Sequence, residues 1–371
     1  MLNLIVIGFC AALLVSILIT PLVKRFAIWI GVVDQPNQRK VHTKVMPRLG
    51  GLAIYLAFVV AFIIMLPQIE VMDAGKRALA WALFVGGSMI ALLGAVDDKY
   101  NLSPKIKFLV QIIAAIIVVV GFDLRIDFIN IPFLNAHTLP DWFSIPFTIF
   151  WIVGVTNAVN LIDGLDGLAA GVSAIATATL LVMAIFMGNE IVIILTAILL
   201  GSILGFLVYN FHPAKIFMGD SGALFLGFCL ATLSISGFKQ AAVVSFVAPL
   251  LILGVPITDT LFAIVRRIVN KTPISEADKN HLHHRLMSLG LSHLQTVLVI
   301  YLISISFGIL AILLSNQPLW VTLVILPLLL LFLQLGAEYT GIISQKQPVI
   351  HFLRRTRMKV VQLLGSTRMM K

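Results

Sequence analysis

Two amides and two carboxylates recur at three-residue intervals in Asn157-Ala-Val-Asn160-Leu-Ile-Asp163-Gly164-Leu-Asp166-Gly167, directly after an apolar run. An ionisable group at the centre of a membrane helix costs about 2.5–3.5 kcal/mol on insertion scales, so it persists only facing a polar cavity, a partner or a ligand. Asn157 and Asn160 lie nearly one turn apart and share a helix face. Their amides can donate to phosphate or sugar oxygens and accept from a base edge. Gly164 and Gly167 let the backbone open and turn, which leaves Asp163 and Asp166 at the mouth. The alternative is an interhelical polar clasp.

Four further constellations carry complementary chemistry. Asp97-Asp98 place two like charges side by side, and low dielectric makes their repulsion demand a cation: a divalent metal, or the nearby Lys99, Lys105 and Lys107. Asn101 belongs to the same stretch. Asn210-Phe211-His212-Pro213 precedes Phe217-Met218-Gly219-Asp220-Ser221-Gly222, where Asp220 either N-caps a helix or ligates a metal. Arg39, Lys40, His42, Lys44 and Arg48, followed by Gly50-Gly51, form either a polyanion cradle or a stop-transfer cluster. His281-Leu282-His283-His284-Arg285, after Glu276, Asp278 and Lys279, lacks the cysteines or HExxH of a zinc site and reads better as pyrophosphate donors. Hard oxygen ligands beside phosphate donors favour Mg²⁺, with Mn²⁺ as the alternative. No Walker A or GxGxxG motif is present. The chemistry that fits is phosphoryl transfer at a membrane surface, with one reactant in the lipid.

The elements that must hold these groups are membrane helices. Of 371 residues, 60% are hydrophobic and 11% charged, with a mean hydropathy of +1.06; soluble domains carry about 25% charged residues. An all-α polytopic membrane protein is expected, with spans near 2–23, 49–67, 78–96, 108–122, 144–162, 168–187, 191–211, 222–238, 242–265, 296–314 and 319–338. The run at 242–265 invites a tilt or break at Pro249 and Pro256. Eleven spans put all of the 26 Lys and Arg on one side except Lys76, Arg77, Arg125 and Lys239. The positive-inside rule makes that side the cytoplasm, with the N-terminus outside and the C-terminus cytoplasmic. No cation precedes the first apolar stretch and Lys24-Arg25 follow it, so it reads as a retained span rather than a signal peptide. Residues 1–338 form the multi-span catalytic domain, and 339–371 a basic tail able to lie on the bilayer. Cys10 and Cys229 read as small buried apolar residues without a disulfide framework. The net charge of +10 is explained by topology and anionic lipid, and no nucleic-acid motif accompanies it.

In this order, the five constellations resemble the polyprenyl-phosphate N-acetylhexosamine-1-phosphate transferases, across about residues 20 to 290. The resemblance implies a membrane enzyme that moves a sugar-1-phosphate from a UDP-sugar to a polyprenyl phosphate and releases UMP. The branch acting on UDP-N-acetylmuramoyl-pentapeptide shows a TPTMGG-like entry to its second span and three consecutive histidines. Pro47-Arg48-Leu49-Gly50-Gly51 and HLHHR are instead similar to the bacterial undecaprenyl-phosphate branch that uses UDP-N-acetylglucosamine (UDP-GlcNAc). By resemblance, Asp220 binds Mg²⁺ and the diphosphate, Phe217 stacks on uracil, and Asp166 and Asn210 lie near the nucleoside. Asn160 and Lys107 touch phosphate or metal-bound groups, while His281, His283, His284 and Arg285 hold pyrophosphate or sugar. Lys44, Arg48, Asn101, Asn157 and Asp163 complete the substrate-binding candidates, Asp97 and Asp98 are the catalytic pair, and a homodimer is implied.

A lipid phosphate is mostly dianionic at pH 7, its second pKa being near 6, and needs little deprotonation. Its approach to an anionic diphosphate is the harder task, and cations supply the stabilisation. Direct attack is therefore expected, with Asp97 positioning or deprotonating the lipid phosphate and Asp98 assisting through the metal or Lys107. A covalent aspartyl-phosphate is the rival route. A secondary transporter is the rival of another class, although these residues gather at one face and no repeat is visible.

Overall fold

Apolar runs this long fold as helices because every backbone N–H and C=O in lipid must be satisfied within its own segment. The computed structural model describes residues 2–35, 45–129, 137–237, 247–272 and 281–315, with a few positions between 317 and 336. The chain divides into two compact units: Met1–Ile257 with Val297–Gln317, and Thr258–Thr296 with Pro318–Lys371.

The first unit contains α1 (Leu2–Trp29), α2 (Gly50–Glu70), α3 (Ala74–Tyr100), α4 (Pro104–Ile116) continued by a π turn (Ile117–Gly121), and α5 (Asp141–Leu161). It continues with α6 (Leu168–Met187), α7 (Glu190–Asn210), α8 (Gly219–Gly237) and α9 (Val247–Ile252). α10 (Gly254–Asn270) begins there and runs into the second unit, which also holds α11 (Leu282–Ser288) and the first turn of α12 (His293–Leu314). The core of the first unit is α8, packed on α3 and α5, and α7, packed on α1 and α6. The most apolar window of α8 is 89% buried and that of α1 only 17%, so α1 presents most of its surface outward.

Among the described residues, nine helices are long and apolar enough to cross a membrane. The run expected at 242–265 departs from that pattern. It forms α9 and α10, separated at Leu253 between Pro249 and Pro256, and residues 238–246 lie outside the described set. The run expected at 319–338 and the tail 339–371 fall largely or wholly outside it. α1 continues past Lys24 and Arg25, which are therefore helical rather than in a loop. Cys229 is buried, but Cys10 is exposed because it lies on the outward stripe of α1.

Two turns prepare the site. Asn101 closes α3 in the left-handed region (φ 49°), and Ser103 N-caps α4 with Pro104 at its first position. A short ribbon pairs β1 (Val33–Asp34) with β2 (Met46–Pro47), and Arg48 then bridges in parallel to Phe217.

Candidate active site

Four pieces of chain converge where α3 ends, α4 begins, α8 begins and the Pro47–Gly51 segment enters α2. Backbone bonds lock the last two together: Phe217 N–H to Pro47 O (2.9 Å), Gly50 N–H to Phe217 O (2.9 Å) and Gly51 N–H to Met218 O (2.7 Å). The double glycine thus serves helix docking, and its N–H groups are already engaged. α3 reaches α8 through Gly94, where a Cβ would stand 2.5 Å from the Asp220 carbonyl.

One turn after Gly94, Asp98 inserts its carboxylate into the start of α8. Oδ1 accepts from Asp220 N–H (2.9 Å) and Oδ2 from Ser221 N–H (3.1 Å). Helix starts leave such N–H groups without intrahelical partners, and the helix dipole favours an anion there. Gly219 makes this approach possible: its φ is +73°, and a Cβ would stand 2.5 Å from Asp98 Oδ2. The N-capping once open to Asp220 is done from another helix, so Asp220 projects its carboxylate into the site.

That carboxylate is clasped from two sides. Arg48 Nη2 lies 3.3 Å from Asp220 Oδ1, and Arg48 Nε 3.2 Å from Asp98 Oδ1. Lys107 Nζ lies 3.0 Å from Asp220 Oδ2 and 3.1 Å from Asp97 Oδ2. Asp97 Oδ1 accepts from Leu102 N–H at 2.8 Å. Adjacent in sequence, the two aspartates are divided in space: Asp98 pairs with Arg48 and α8, and Asp97 with Lys107. Lys107, through which Asp98 was expected to assist, contacts Asp97 and Asp220, and the cation beside Asp98 is Arg48. Burial works against the charge of Arg48, but Asp98, Asp220, Asp34 and Asp97 outweigh it and hold the guanidinium above its ordinary range. Side-chain exposure runs from 0% at Asp98 and 4% at Asp97 to 32% at Arg48, so the cations are the accessible face.

The 157–167 string divides as well. Asn157 donates to Gln111 Oε1 (2.6 Å) and Val153 O (2.7 Å), which is an interhelical clasp between α5 and α4. Asn160 makes no side-chain hydrogen bond among the described residues, and neither does the Asp163 carboxylate. Asp163 is pushed up to about 7 by burial and by the carboxylates of Asp220 and Asp98, with Arg48 opposing. Asp166 Oδ2 meets His212 Nδ1 (2.9 Å) and Ala214 N–H (3.1 Å), and buried Asn210 donates to Ile216 O (3.0 Å), so both shape the loop that delivers Phe217. Asn101 is exposed at its turn. Lys44, with Arg39, Lys40 and His42, lies outside the described residues.

In the second unit, His281 Nδ1 is 2.8 Å from Asp259 Oδ2, and Asp259 Oδ1 accepts from Leu282 N–H (2.8 Å). His283 is buried, its ring parallel to that of His281 with centroids 6.0 Å apart. Its pKa is held down to about 3 by burial and by His284, with Asp259 opposing. His284 packs on His283, and Arg285 stands one turn into α11.

A family model described as glycosyl transferase family 4 matches residues 80–238, the segment that holds Asp97, Asp98, Lys107, the 157–167 string and Asp220. A Bacillus subtilis protein named probable undecaprenyl-phosphate N-acetylglucosaminyl 1-phosphate transferase is 50% identical over 95% of this chain and 96% of its own length. The chain belongs to the polyprenyl-phosphate hexosamine-1-phosphate transferases. This transferase is also 35% identical, over 80% of its length and 78% of the relative's, to a Mycolicibacterium smegmatis decaprenyl-phosphate N-acetylglucosaminephosphotransferase. A Listeria monocytogenes phospho-N-acetylmuramoyl-pentapeptide-transferase is 34% identical over 61% of the chain and 73% of the relative. Family membership decides for an enzyme over the transporter alternative.

Four residues of the transferase escaped the motif reading. Gly94 carried a faint signal, a small residue one turn before the aspartate pair. Gln111 and Asp259 carried a stronger one, each being a polar side chain inside an apolar run. Tyr301, whose hydroxyl donates to Gly167 O at 2.6 Å, carried none. As for a metal, the donors around Asp220 are carboxylate oxygens without a thiolate. Asp97, Asp98, Asp163 and Asp220 outnumber Arg48 and Lys107, a set that suits a hard divalent cation.

Proposed function

We propose that the protein transfers GlcNAc-1-phosphate from UDP-GlcNAc to undecaprenyl phosphate and releases UMP. The observation that carries this reading is the pair of accessible cations, Arg48 and Lys107, pinned by Asp97, Asp98 and Asp220. Such a pair brings two phosphate groups together against their repulsion, and its own carboxylates prevent it from relaxing toward water. The donor assignment is supported by HLHHR and the PRLGG entry, and by the name of the Bacillus subtilis relative.

In the reaction, a lipid-phosphate oxygen attacks the sugar-bearing phosphorus. A new P–O bond forms, the bond to the bridging diphosphate oxygen breaks, and UMP departs with that oxygen. Asp97, adjoining Lys107, positions the lipid phosphate or accepts its last proton. Asp98 is a positioning residue that sets the first turn of α8 and the Arg48 head. Asp220 and Asp163 would hold Mg²⁺, with Mn²⁺ as a substitute, and the ion would supply charge neutralisation to the diphosphate. Phe217, Asp166 and Asn210 serve the nucleoside side, and Asn160 the phosphate or metal-bound groups. The charge asymmetry supports a cytoplasmic position for these loops, and in a bacterial plasma membrane the product would begin an envelope glycan such as teichoic acid or O-antigen.

The deciding experiment compares UMP release from UDP-GlcNAc, UDP-GalNAc and UDP-MurNAc-pentapeptide with undecaprenyl phosphate and Mg²⁺. Strong preference for the first is expected, abolished by Asp220→Asn and by Asp97→Asn. Preference for the pentapeptide donor would move the protein to the other branch. Lipid-independent UMP exchange, or a trapped phosphosugar adduct, would replace direct attack with the covalent route.

A further inference from the structure

Asp259 takes no part in the bond changes of the transfer, yet it is 4% exposed and lies 22 positions before its partner. A carboxylate that deeply enclosed persists where its oxygens are used, and both are. Oδ2 takes His281 Nδ1 and Oδ1 takes the backbone N–H of Leu282, each at 2.8 Å. The second bond fixes the rotation of the carboxylate, so the first cannot drift. We propose that Asp259 is a positioning residue that holds His281 with Nδ1 protonated, so that Nε2 is the nitrogen offered to the diphosphate sugar. This rests on the reading above, in which His281 engages that donor.

Imidazolium is the form that donates from both nitrogens, Nδ1–H to the Asp259 carboxylate and Nε2–H to an anion. The geometry makes the isosteric substitution informative. In Asp259→Asn the amide oxygen is retained by Leu282 N–H, which turns the amide NH₂ toward Nδ1. That nitrogen must then accept, and imidazolium would oppose N–H to N–H. The ring is thus confined to the Nε2–H neutral tautomer, and the charged donor is lost with the fold retained.

Two measurements test this. In selectively ¹⁵N-histidine-labelled protein in nanodiscs, with His281 assigned by difference from His281→Gln, the wild-type Nδ1 gives a protonated-nitrogen shift. Asp259→Asn moves it to the unprotonated range, and Asp259→Glu restores it. A wild-type His281 with bare Nδ1, or no change in Asp259→Asn, overturns the proposal whether or not any UDP-sugar is turned over. In the UMP assay, Asp259→Asn lowers kcat/KM for UDP-GlcNAc about 100-fold and leaves KM for undecaprenyl phosphate unchanged. Combined with His281→Ala it costs no more than His281→Ala alone. Losses that multiply, or that fall equally on both substrates, assign Asp259 to folding only and overturn the role. If Asp259→Asn does not fold, the wild-type nitrogen shift decides alone, a bare Nδ1 at His281 overturning the proposal. Absence of UMP release in the parent protein would refute the donor assignment, and the nitrogen shifts would still decide the dyad.

Discussion

Two clusters of acid around base lie at opposite ends of α4, separated by the helix and its π turn, about 27 Å at 1.5 Å per residue. At one end Arg48 and Lys107 meet Asp97, Asp98 and Asp220; beyond the other, Arg125 meets Asp123, Asp127 and Asp141 at 3.2, 3.0 and 2.8 Å. By distance alone the second cluster is the tighter. The difference is burial: side chains of Asp98 and Asp97 are 0% and 4% exposed, those of Asp123 and Asp141 80% and 73%. In water an ion pair contributes little, whereas an enclosed one must be satisfied at every oxygen or it destabilises the fold. The first cluster therefore holds its geometry when a charged substrate arrives, and the second can rearrange.

The comparison breaks most visibly at Asp98. Asp98→Ala takes one of the two carboxylate partners of Arg48 and leaves the first N–H groups of α8 without their acceptor, so a stability loss of about 1–3 kcal/mol is expected from the unsatisfied buried donors. UMP release should fall at least about 100-fold, since the displaced Asp220 and Arg48 no longer meet the substrate. Thermal unfolding and turnover in the same detergent check both. A folded, active Asp98→Ala would mean that the enclosed network is ornamental.

Lys107→Ala sharpens the same contrast. Lys107 is partly accessible and its removal leaves Asp97 and Asp220 without their shared cation. Turnover should fall about 100-fold for a lost phosphate donor, with a smaller stability change than at Asp98. In the variant, MgCl₂ should raise the Tm more than it does in the parent, because the ion would take over the neutralisation. Equal Tm responses would detach the metal from these carboxylates.

Burial also sets a pH dependence in the second unit. His283 titrates near 3 rather than at its ordinary 6.5, so the unfolded segment binds a proton that the folded one refuses. The stabilising contribution is complete above pH 6.5 and is lost as pH falls toward 3. At pH 5 the deficit is about 2 kcal/mol, from 1.36 kcal/mol per unit. Hydrogen exchange across Leu282–Ser288 should accelerate between pH 7 and 5, and much less so in His283→Gln.

Hydropathy made the helices legible because lipid leaves the backbone few alternatives, and the prolines at 249 and 256 even marked where one run would break. Charge spacing made Asp97, Asp98, Asp163 and Asp220 legible as candidates in three separate constellations. Their convergence and the division of labour among them were not legible. Whether Asp97 or Asp98 caps α8 depends on how Gly94 and Gly219 let two helices meet, a contact between positions more than 120 apart. The same holds for Asn157, whose oddity was plain but whose partner Gln111 is 46 positions away. Asp259 was hidden because it was counted as part of a span, when it is a buried acid whose partner lies in the next loop.

The smallest effect is expected at Arg125, and it is the control that gives the others meaning. Arg125→Ala removes three ion pairs at once. If close contacts alone conferred stability and function, this would be among the most damaging changes in the protein. Because the partners are largely solvated, the Tm should stay within about 2 °C of the parent, and 1 M NaCl should erase even that difference. UMP release should stay within about twofold, since a solvated pair holds no geometry on which the reaction depends. A large loss of turnover would show that the outer cluster constrains α4 along its length and, through it, the position of Lys107. The contrast would then lie in the helix that joins the clusters and no longer in burial.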